Sequence, residues 1–388
     1  MIPFVTYEDR IWNAQPSVFY VPRRTREQPG TNYRSAVILD LSRFDFRLDP
    51  HIQNLVQDTI EQLAKLDGFV KAKSLSFPML LLRTESLSSS QIEHLRSSNR
   101  NVALAQLNLG TNPQAKIISA NLKSLVGALY DTQSMELNDL KNIHHALLSD
   151  FDPTEAGQIR TVQNWIGRSQ VSPLGADYVP PHPDRLPEAL DQLFRFIRRT
   201  DMHPLVVAAL SHAYFESIHP FADGNGRTGR VLIQMILRQT GFLEQLHIPI
   251  SAGLVKDPDR YVKALTVFRE GDYQPIIEVV CHAALNVVPK TYDALAKLDD
   301  MKLRWKGIIK ARSDAHVWMI LDEIVAQPVV DAGYLVNRLK LNDQAVRNNI
   351  DILFQAGILT KVKPDAKRNV AYESKEVLAV LDEFTATL

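Results

Sequence analysis

The chemistry-bearing residues of this chain concentrate at positions 219–230, which read His219-Pro220-Phe221-Ala222-Asp223-Gly224-Asn225-Gly226-Arg227-Thr228-Gly229-Arg230. His219 titrates near neutral pH, which suits the general base that takes a proton from a hydroxyl in a phosphoryl-type transfer. Asp223 is a hard oxygen ligand, and magnesium is commonly held by one or two carboxylates together with the phosphates of its nucleotide. Gly224, Gly226 and Gly229 permit positive φ and remove Cβ atoms, so that backbone N–H groups can close around an anion. Arg227 and Arg230, three apart, share roughly one helix face and can fork onto phosphate oxygens or onto a carboxylate. Phe221 offers burial and no chemistry, so it reads as a core anchor. The bland reading is a glycine-rich helix cap, with Asp223 and Asn225 capping and both arginines solvated. A histidine, a carboxylate, an amide, three glycines and two arginines in so short a run weigh against it.

Such a loop works only if rigid elements hold it. Val206, Leu210, Ala213 and Tyr214 before it, and Leu232, Met235 and Ile236 after it, recur at helical spacing, so the loop opens a helix. The first turn of that helix offers unpaired N–H groups and a positive dipole end, a ready anion site. Pro220 biases His219 toward extended backbone. A phosphoryl-type transfer needs positioning and charge neutralisation more than a covalent intermediate, and this loop supplies both.

The rest of the chain reads as mainly helical. Helical spacing predicts helices over residues 49–72, 79–96, within 116–150, over 187–199, and within 261–299. Residues 157–183, rich in Gly and Pro, resist a helical period and predict a loop or hairpin. The first thirty residues carry Pro3, Pro16, Pro22 and Pro29 with Arg23, Arg24 and Arg26, and read as an ordered arm of extended or irregular backbone. The division expected is an N-terminal arm and helical domain (1–112), a catalytic core (113–290), a connecting helix (291–314) and a last domain (315–388).

The loop resembles the signature of the Fic family, His-x-Phe-x-Asp/Glu-Gly-Asn-Gly-Arg-x-x-Arg, at every defined position. The resemblance extends over roughly residues 116–288 and takes in Gly157-Gln158-Ile159-Arg160-Thr161-Val162-Gln163-Asn164-Trp165-Ile166-Gly167. It implies a mainly α fold: a Fic helical core with a short β-hairpin flap after Gly167, where a target segment adds as a strand. It also implies roles. His219 is then the general base, and Asp223 holds Mg2+. Gly224, Asn225 and Gly226 form the anion hole, while Arg227 and Arg230 contact the phosphates of ATP. The implied reaction is transfer of AMP to a Ser, Thr or Tyr hydroxyl of a target protein. The alternatives are removal of AMP from a modified protein, transfer of another phosphate-containing group, and a nucleotide-sensing, DNA-binding regulator.

Ser89-Ser90-Gln91-Ile92-Glu93 resembles the family's inhibitory pattern, Ser/Thr-x-x-x-Glu-Gly/Asn, departing at His94. Ser89 and Glu93, four apart, fall on one helix face, and the resemblance implies that Glu93 competes for Arg230. Residues 317–388 run in an order that resembles a winged-helix-like α+β domain, with Gln344, Arg347 and Asn348 on a recognition helix and Lys361, Lys363, Lys367 and Arg368 on the wing. That makes DNA a possible partner. Asp343, Asp351 and Asp365 dilute the charge, and winged helices also serve as protein contacts or homodimer modules.

Composition narrows the remaining classes. The 388 residues allow two or three cores. Lys plus Arg equals Asp plus Glu at 44 each, so the whole molecule has no bias toward nucleic acid or membrane surfaces. Cys281 is the only cysteine, which excludes an intrachain disulfide and a thiolate metal cluster within one chain. No uninterrupted apolar run reaches the length of a membrane span, and the start lacks the order of a secretory signal, so the expectation is a cytoplasmic protein with no membrane partner.

Overall fold

The computed structural model describes residues 2–12, 30–72, 77–130, 135–167, 172–313, 315–366, 368 and 370–387. Of the residues singled out above, Pro16, Pro22, Pro29, Arg23, Arg24, Arg26 and Lys367 lie outside them. Strands β1 (Val5–Trp12) and β2 (Thr31–Ile38) are followed by helices α1 (Pro50–Lys71), α2 (Phe77–Ile92) and α3 (Asn99–Gln106). Next come α4 (Pro113–Tyr130), α5 (Leu137–Leu148), α6 (Leu186–Ile197), α7 (Pro204–Ile218) and α8 (Asn225–Gln239). Helices α9 (Ile250–Leu254), α10 (Pro258–Arg269) and α11 (Gln274–Ile308) follow, the last running through Pro289. The chain closes with α12 (Val317–Ala326), β3 (Val329–Asp331), α13 (Ala332–Leu339), α14 (Asp343–Gln355), β4 (Thr360–Lys361), β5 (Ala371–Glu373) and α15 (Lys375–Thr387). No helix of the described residues is long and apolar enough to cross a membrane.

The chain forms two compact units. The first comprises Met1–Val56, Gly127–Thr240 and Asp259–Val279, and the second Gln57–Val126, Gly241–Pro258 and Val280–Leu388. In the first unit α7 is apolar nearly all round, with Leu205, Ala208, Leu210, Ala213, Tyr214, Phe215 and Ile218 buried, as a central helix must be. Helices α6 and α8 pack on it. Strands β1 and β2 form an antiparallel ribbon, with Val5 opposite Ile38 and Trp12 opposite Thr31. Only the start of that ribbon was read as extended from the sequence, since the partner strand lies beyond the Pro-rich stretch. The Ala36 N–H donates to the Val179 carbonyl at 3.0 Å, which ties the ribbon to residues 157–183. The described residues among these, 157–167 and 172–182, are irregular, as their glycines and prolines predict, apart from an antiparallel bridge between Ile166 and Tyr178. Residues 168–171, where the flap after Gly167 was expected to begin, lie outside the described residues.

In the second unit α2 is the central helix. Residues Leu80 to Ser90 along it are buried, and α9, α12 and α15 pack against it. Its buried Glu85 accepts from the Ser251 N–H at 2.9 Å and from the Ser251 hydroxyl. The buried Arg83 donates to the Ala326 carbonyl at 3.1 Å and to the Gln327 side chain at 2.6 Å. The end of α2 is a Schellman motif: the His94 N–H reaches the Gln91 carbonyl and the Leu95 N–H reaches the Ser90 carbonyl, each at 3.0 Å. His94 sits at φ 61, the left-handed conformation that favours Gly or Asn. Toward the C-terminus, a three-stranded antiparallel sheet of order β3-β5-β4 lies against α13 and α3, and α12, α13 and α14 pack on one another.

Candidate active site

Helix α7 delivers His219 and helix α8 delivers the arginines, with a short loop between them. His219 closes α7 by donating its N–H to the Phe215 carbonyl at 2.9 Å, with φ 49 and ψ 60. This corrects the extended backbone that Pro220 predicts for His219. The steric preference imposed by the following proline is overridden by bonds from outside the helix. Arg160 Nε donates to the His219 carbonyl at 2.8 Å, and Asn164 Nδ2 donates to the Phe221 carbonyl at 2.9 Å. The Arg160 N–H also meets the Pro220 carbonyl at 3.0 Å. The Arg160 guanidinium further bonds the Val162 and Pro181 carbonyls at 3.1 and 2.6 Å. Burial pulls this guanidinium down to about 10, still charged at neutral pH.

Asn225 holds the loop shut. Its Oδ1 accepts from the Phe221 N–H and its Nδ2 donates to the Phe221 carbonyl, both at 2.9 Å. What Asn225 offers a ligand is therefore its backbone N–H, at the first position of α8, with Gly226 following. No helical carbonyl reaches the N–H groups of a helix's first turn. Gly224, at φ 73, is the left-handed residue that turns the chain into α8. Gly226 and Gly229 lie inside α8 and are not at positive φ, so only Gly224 bears out the conformational reading of the three glycines. Gly229 is needed for packing instead. A Cβ there would stand 2.8 Å from Glu216 Oε1, 2.9 Å from Phe215 Cδ1 and 3.0 Å from His212 Nδ1.

Phe221 is fully buried, as its type predicts, and stacks on His144 of α5 with ring centroids 3.7 Å apart and planes 5° from parallel. The Gly157 N–H donates to His144 Nδ1 at 2.9 Å, so Nδ1 is the acceptor nitrogen, and Nε2 donates to the Asp223 carbonyl at 2.9 Å. Burial pushes His144 down to about 4, which keeps it neutral and preserves that tautomer. Below the loop, His212 of α7 bonds the Tyr261 hydroxyl at 2.7 Å, and burial, with the Arg230 charge nearby, holds it down to about 3.

Arg227 and Arg230 are both buried, so neither is a solvated surface arginine of the kind a plain helix cap would carry. Asp223, by contrast, has a side chain 78% exposed, lying 3.6 Å from Arg227 Nη2, with Oδ1 accepting from the Gly224 N–H at 2.6 Å. No group of three or more His, Cys, Asp or Glu is arranged to hold a metal among the described residues. A single exposed carboxylate fits Mg2+ as a ligand shared with nucleotide phosphates and water, not as part of a protein cage.

All of His219, Asp223, Gly224, Asn225, Gly226, Arg227 and Arg230 come together in this one loop and helix start. Ser89 and Glu93 belong to the second unit, Ser89 buried in the last turns of α2 and Glu93 exposed just past its end. Sequence reading missed His144, His212 and Glu216. They carry no local motif, and only helix packing reveals their relation to the loop. Arg160 and Asn164 fell inside the quoted 157–167 segment, but nothing local showed that they hold the carbonyls of His219 and Phe221.

The sequence model of the Fic/DOC family matches residues 134–237. The chain is 31% identical over 175 residues to a protein adenylyltransferase Fic of Nematostella vectensis, covering 44% of this chain and 36% of that protein. It is 32% identical over 146 residues to protein adenylyltransferase fic-1 of Caenorhabditis elegans, covering 38% of this chain and 26% of that one. The chain thus spans about a third of the length of the curated relatives it matches. Among solved structures, a Fic family protein from Desulfovibrio desulfuricans G20 superposes with a TM-score of 0.54 at 22% identity, covering 85% of this chain and 97% of that one, which establishes a shared fold. Residues 134–237, which hold the signature loop between α7 and α8, are thus similar to the Fic/DOC family.

Proposed function

We propose that the protein is an adenylyltransferase that moves AMP from ATP to a Ser, Thr or Tyr hydroxyl of a target protein. The observation that carries this reading is the loop itself. It sets a histidine at the end of one buried helix beside the N-terminus of the next, with two buried arginines on that second helix. In this reading the N–H groups at the start of α8 and the guanidinium groups of Arg227 and Arg230 bind and orient the phosphates. His219 takes the proton of the incoming hydroxyl. Asp223 would hold Mg2+, which, when bound, neutralises phosphate charge. The names of the relatives, protein adenylyltransferases, support the same reaction class.

The test is incubation of the purified chain with a cell lysate and ATP labelled at either the α- or the γ-phosphate. Label retained on protein from the α-position alone supports AMP transfer. Retention from the γ-position identifies phosphoryl transfer and replaces this reading, and loss of AMP from a pre-modified protein identifies the reverse reaction.

Self-inhibition by α2 is part of the proposal. The departure at His94 does not extend the helix, because His94 takes the left-handed turn that Gly or Asn would take. Glu93→Gly is expected to raise labelling from ATP, and equal labelling of both proteins would leave Glu93 structural. For the last domain, the order α12, β3, α13, α14, β4, β5 supports a winged-helix-like reading. Arg347 on α14 is paired with Asp343 at 2.7 Å, which takes charge away from a DNA-facing helix and favours a protein contact.

A further inference from the structure

Resting on the proposed AMP transfer, we infer that Glu216 is a positioning residue for His219: its buried carboxylate holds the ring from the Nδ1 side and leaves Nε2 as the nitrogen that takes the hydroxyl proton. Glu216 lies in the last turn of α7, three residues before His219, a spacing that puts two side chains on one helix face. Glu216 Oε2 is 3.8 Å from His219 Nδ1, with the glutamate side chain 9% exposed and the histidine side chain 18% exposed. That is ion-pair distance with solvent largely excluded, and catalytic contacts in a ligand-free site commonly tighten when substrate arrives.

Two further observations show that this place is built for a carboxylate. The left-handed backbone of His219 ends α7 one turn after Glu216, and Arg160, from outside the helix, holds the His219 carbonyl. The ring therefore does not depend on helix continuation for its placement. On the other side, α8 is cut back to glycine where Glu216 comes nearest, since a Cβ on Gly229 would stand 2.8 Å from Glu216 Oε1. The glycine thus leaves room for the acid together with Phe215 and His212. The charged and titratable groups of the packed elements include Arg227 and Arg230 on α8, Arg160 and Tyr178 in the loop segments, His144 on α5, His212 on α7 and Asp223 in the loop. His212 is held neutral by burial, and Asp223 points to solvent beside Arg227. Glu216 is the buried negative charge at the ring.

Its chemical consequence follows from imidazole. A neutral ring carries one N–H, and a carboxylate facing Nδ1 selects the tautomer with the proton on Nδ1 and the lone pair on Nε2. In the transfer step Nε2 takes the hydroxyl proton as the hydroxyl oxygen bonds the α-phosphorus. The bond from that phosphorus to the bridging oxygen breaks and pyrophosphate leaves with its electron pair. The ring is then an imidazolium whose new charge faces the carboxylate, and the proton passes from Nε2 to solvent. A carboxylate behind a histidine base plays this orienting and charge-stabilising part elsewhere without itself being protonated.

The experiment uses the full chain with Glu216→Gln, which keeps shape and removes charge, read in two ways. The first needs no substrate: the 15N resonances of the His219 ring, identified by their loss in His219→Ala, are followed against pH. Loss of the carboxylate is expected to lower the titration midpoint of this ring by about one pH unit. The second is kinetic: kcat for AMP transfer is expected to fall by about tenfold to a hundredfold with KM for ATP within about twofold, and the acid limb of the kcat profile to move to lower pH. An unmoved ring midpoint in a folded Glu216→Gln protein overturns the inference. A loss of activity arising from weaker ATP binding, with the acid limb in place, also overturns it, because a merely structural acid behaves that way. A shifted ring in a chain that transfers no AMP upholds the Glu216–His219 coupling and overturns the proposed reaction instead. Should Glu216→Gln fail to fold, Gly229→Ala, which displaces the carboxylate without removing it, is expected to move the ring midpoint in the same direction, and an unchanged midpoint there counts against the inference.

Discussion

Helix α7 runs into His219 at φ 49, and helix α2 runs into Glu93 and then His94 at φ 61, so the same residue type ends two helices in the same unfavourable backbone region. Their surroundings differ. The turn at His94 is closed by bonds within its own helix end, to Gln91 and Ser90, and its side chain is exposed. The turn at His219 is held from outside, by Arg160 and Asn164 on its carbonyl and by the stack of His144 on Phe221 two residues on. A left-handed histidine costs roughly 1–2 kcal/mol wherever it stands. At α2 that cost is met by a local cap that Gly would supply more cheaply. At α7 the surrounding structure imposes the geometry, through bonds from residues outside the helix.

The largest expected effect separates the two histidines by function. His219→Ala is expected to lower AMP transfer by at least about a hundredfold with ATP binding kept, whereas His94→Ala is expected to leave the ATP-binding constant unchanged. Isothermal titration with a non-hydrolysable ATP analogue, alongside transfer assays, checks both, and comparable losses of transfer in the two variants would erase the distinction.

The next effect is on stability. His144, pushed down to about 4 by burial, is neutral when folded, whereas the unfolded chain's histidine titrates near about 6.5. Between those values the unfolded state binds more protons, so stability is fully present above about pH 6.5 and is lost as pH falls toward 4. His144 contributes on the order of 3 kcal/mol to that loss. Urea unfolding at pH 7 and pH 5 should show a smaller difference for His144→Gln than for the wild type. His212 adds to the same slope, so the variant is expected to reduce the pH dependence without removing it.

Gly229→Ala tests the packing of α7 on α8 under His219. Contacts of 2.8 to 3.0 Å with Glu216, Phe215 and His212 would have to open, for a loss of roughly 1–3 kcal/mol. A midpoint of thermal unfolding equal to the wild type would show that the helices part freely at this point. The smallest effect belongs to α2: His94→Gly relieves the left-handed strain and is expected to stabilise the chain by roughly 0.5–1 kcal/mol. A loss of stability there would mean that His94 makes contacts worth more than its backbone strain.

Much of the site was legible as sequence. The order of His219, Asp223, Gly224, Asn225, Gly226, Arg227 and Arg230 is a local pattern. Helix α8 shows a 3.6-residue period, whereas α7, buried nearly all round, is legible as a long apolar stretch. The irregular backbone of residues 157–167 and 172–182 was equally legible, since Gly and Pro act on their own dihedrals. The same local rules failed at His219, where Pro220 favours extended backbone and the fold imposes a left-handed one, and at Gly226 and Gly229, which sit inside a helix. They could not show β2 as the partner of β1, because that pairing joins residues on either side of a long connection. Nor could they give roles to His144, Glu216 or Arg160. What each does is decided by a neighbour far away in sequence: the Asp223 carbonyl for His144, the space left by Gly229 for Glu216, the His219 carbonyl for Arg160. Local backbone preference and hydrophobic period are properties of short stretches, and so the sequence alone determines them. Tautomer, burial and left-handed strain depend on groups that only tertiary packing brings within bonding distance, and so only the folded chain decides them.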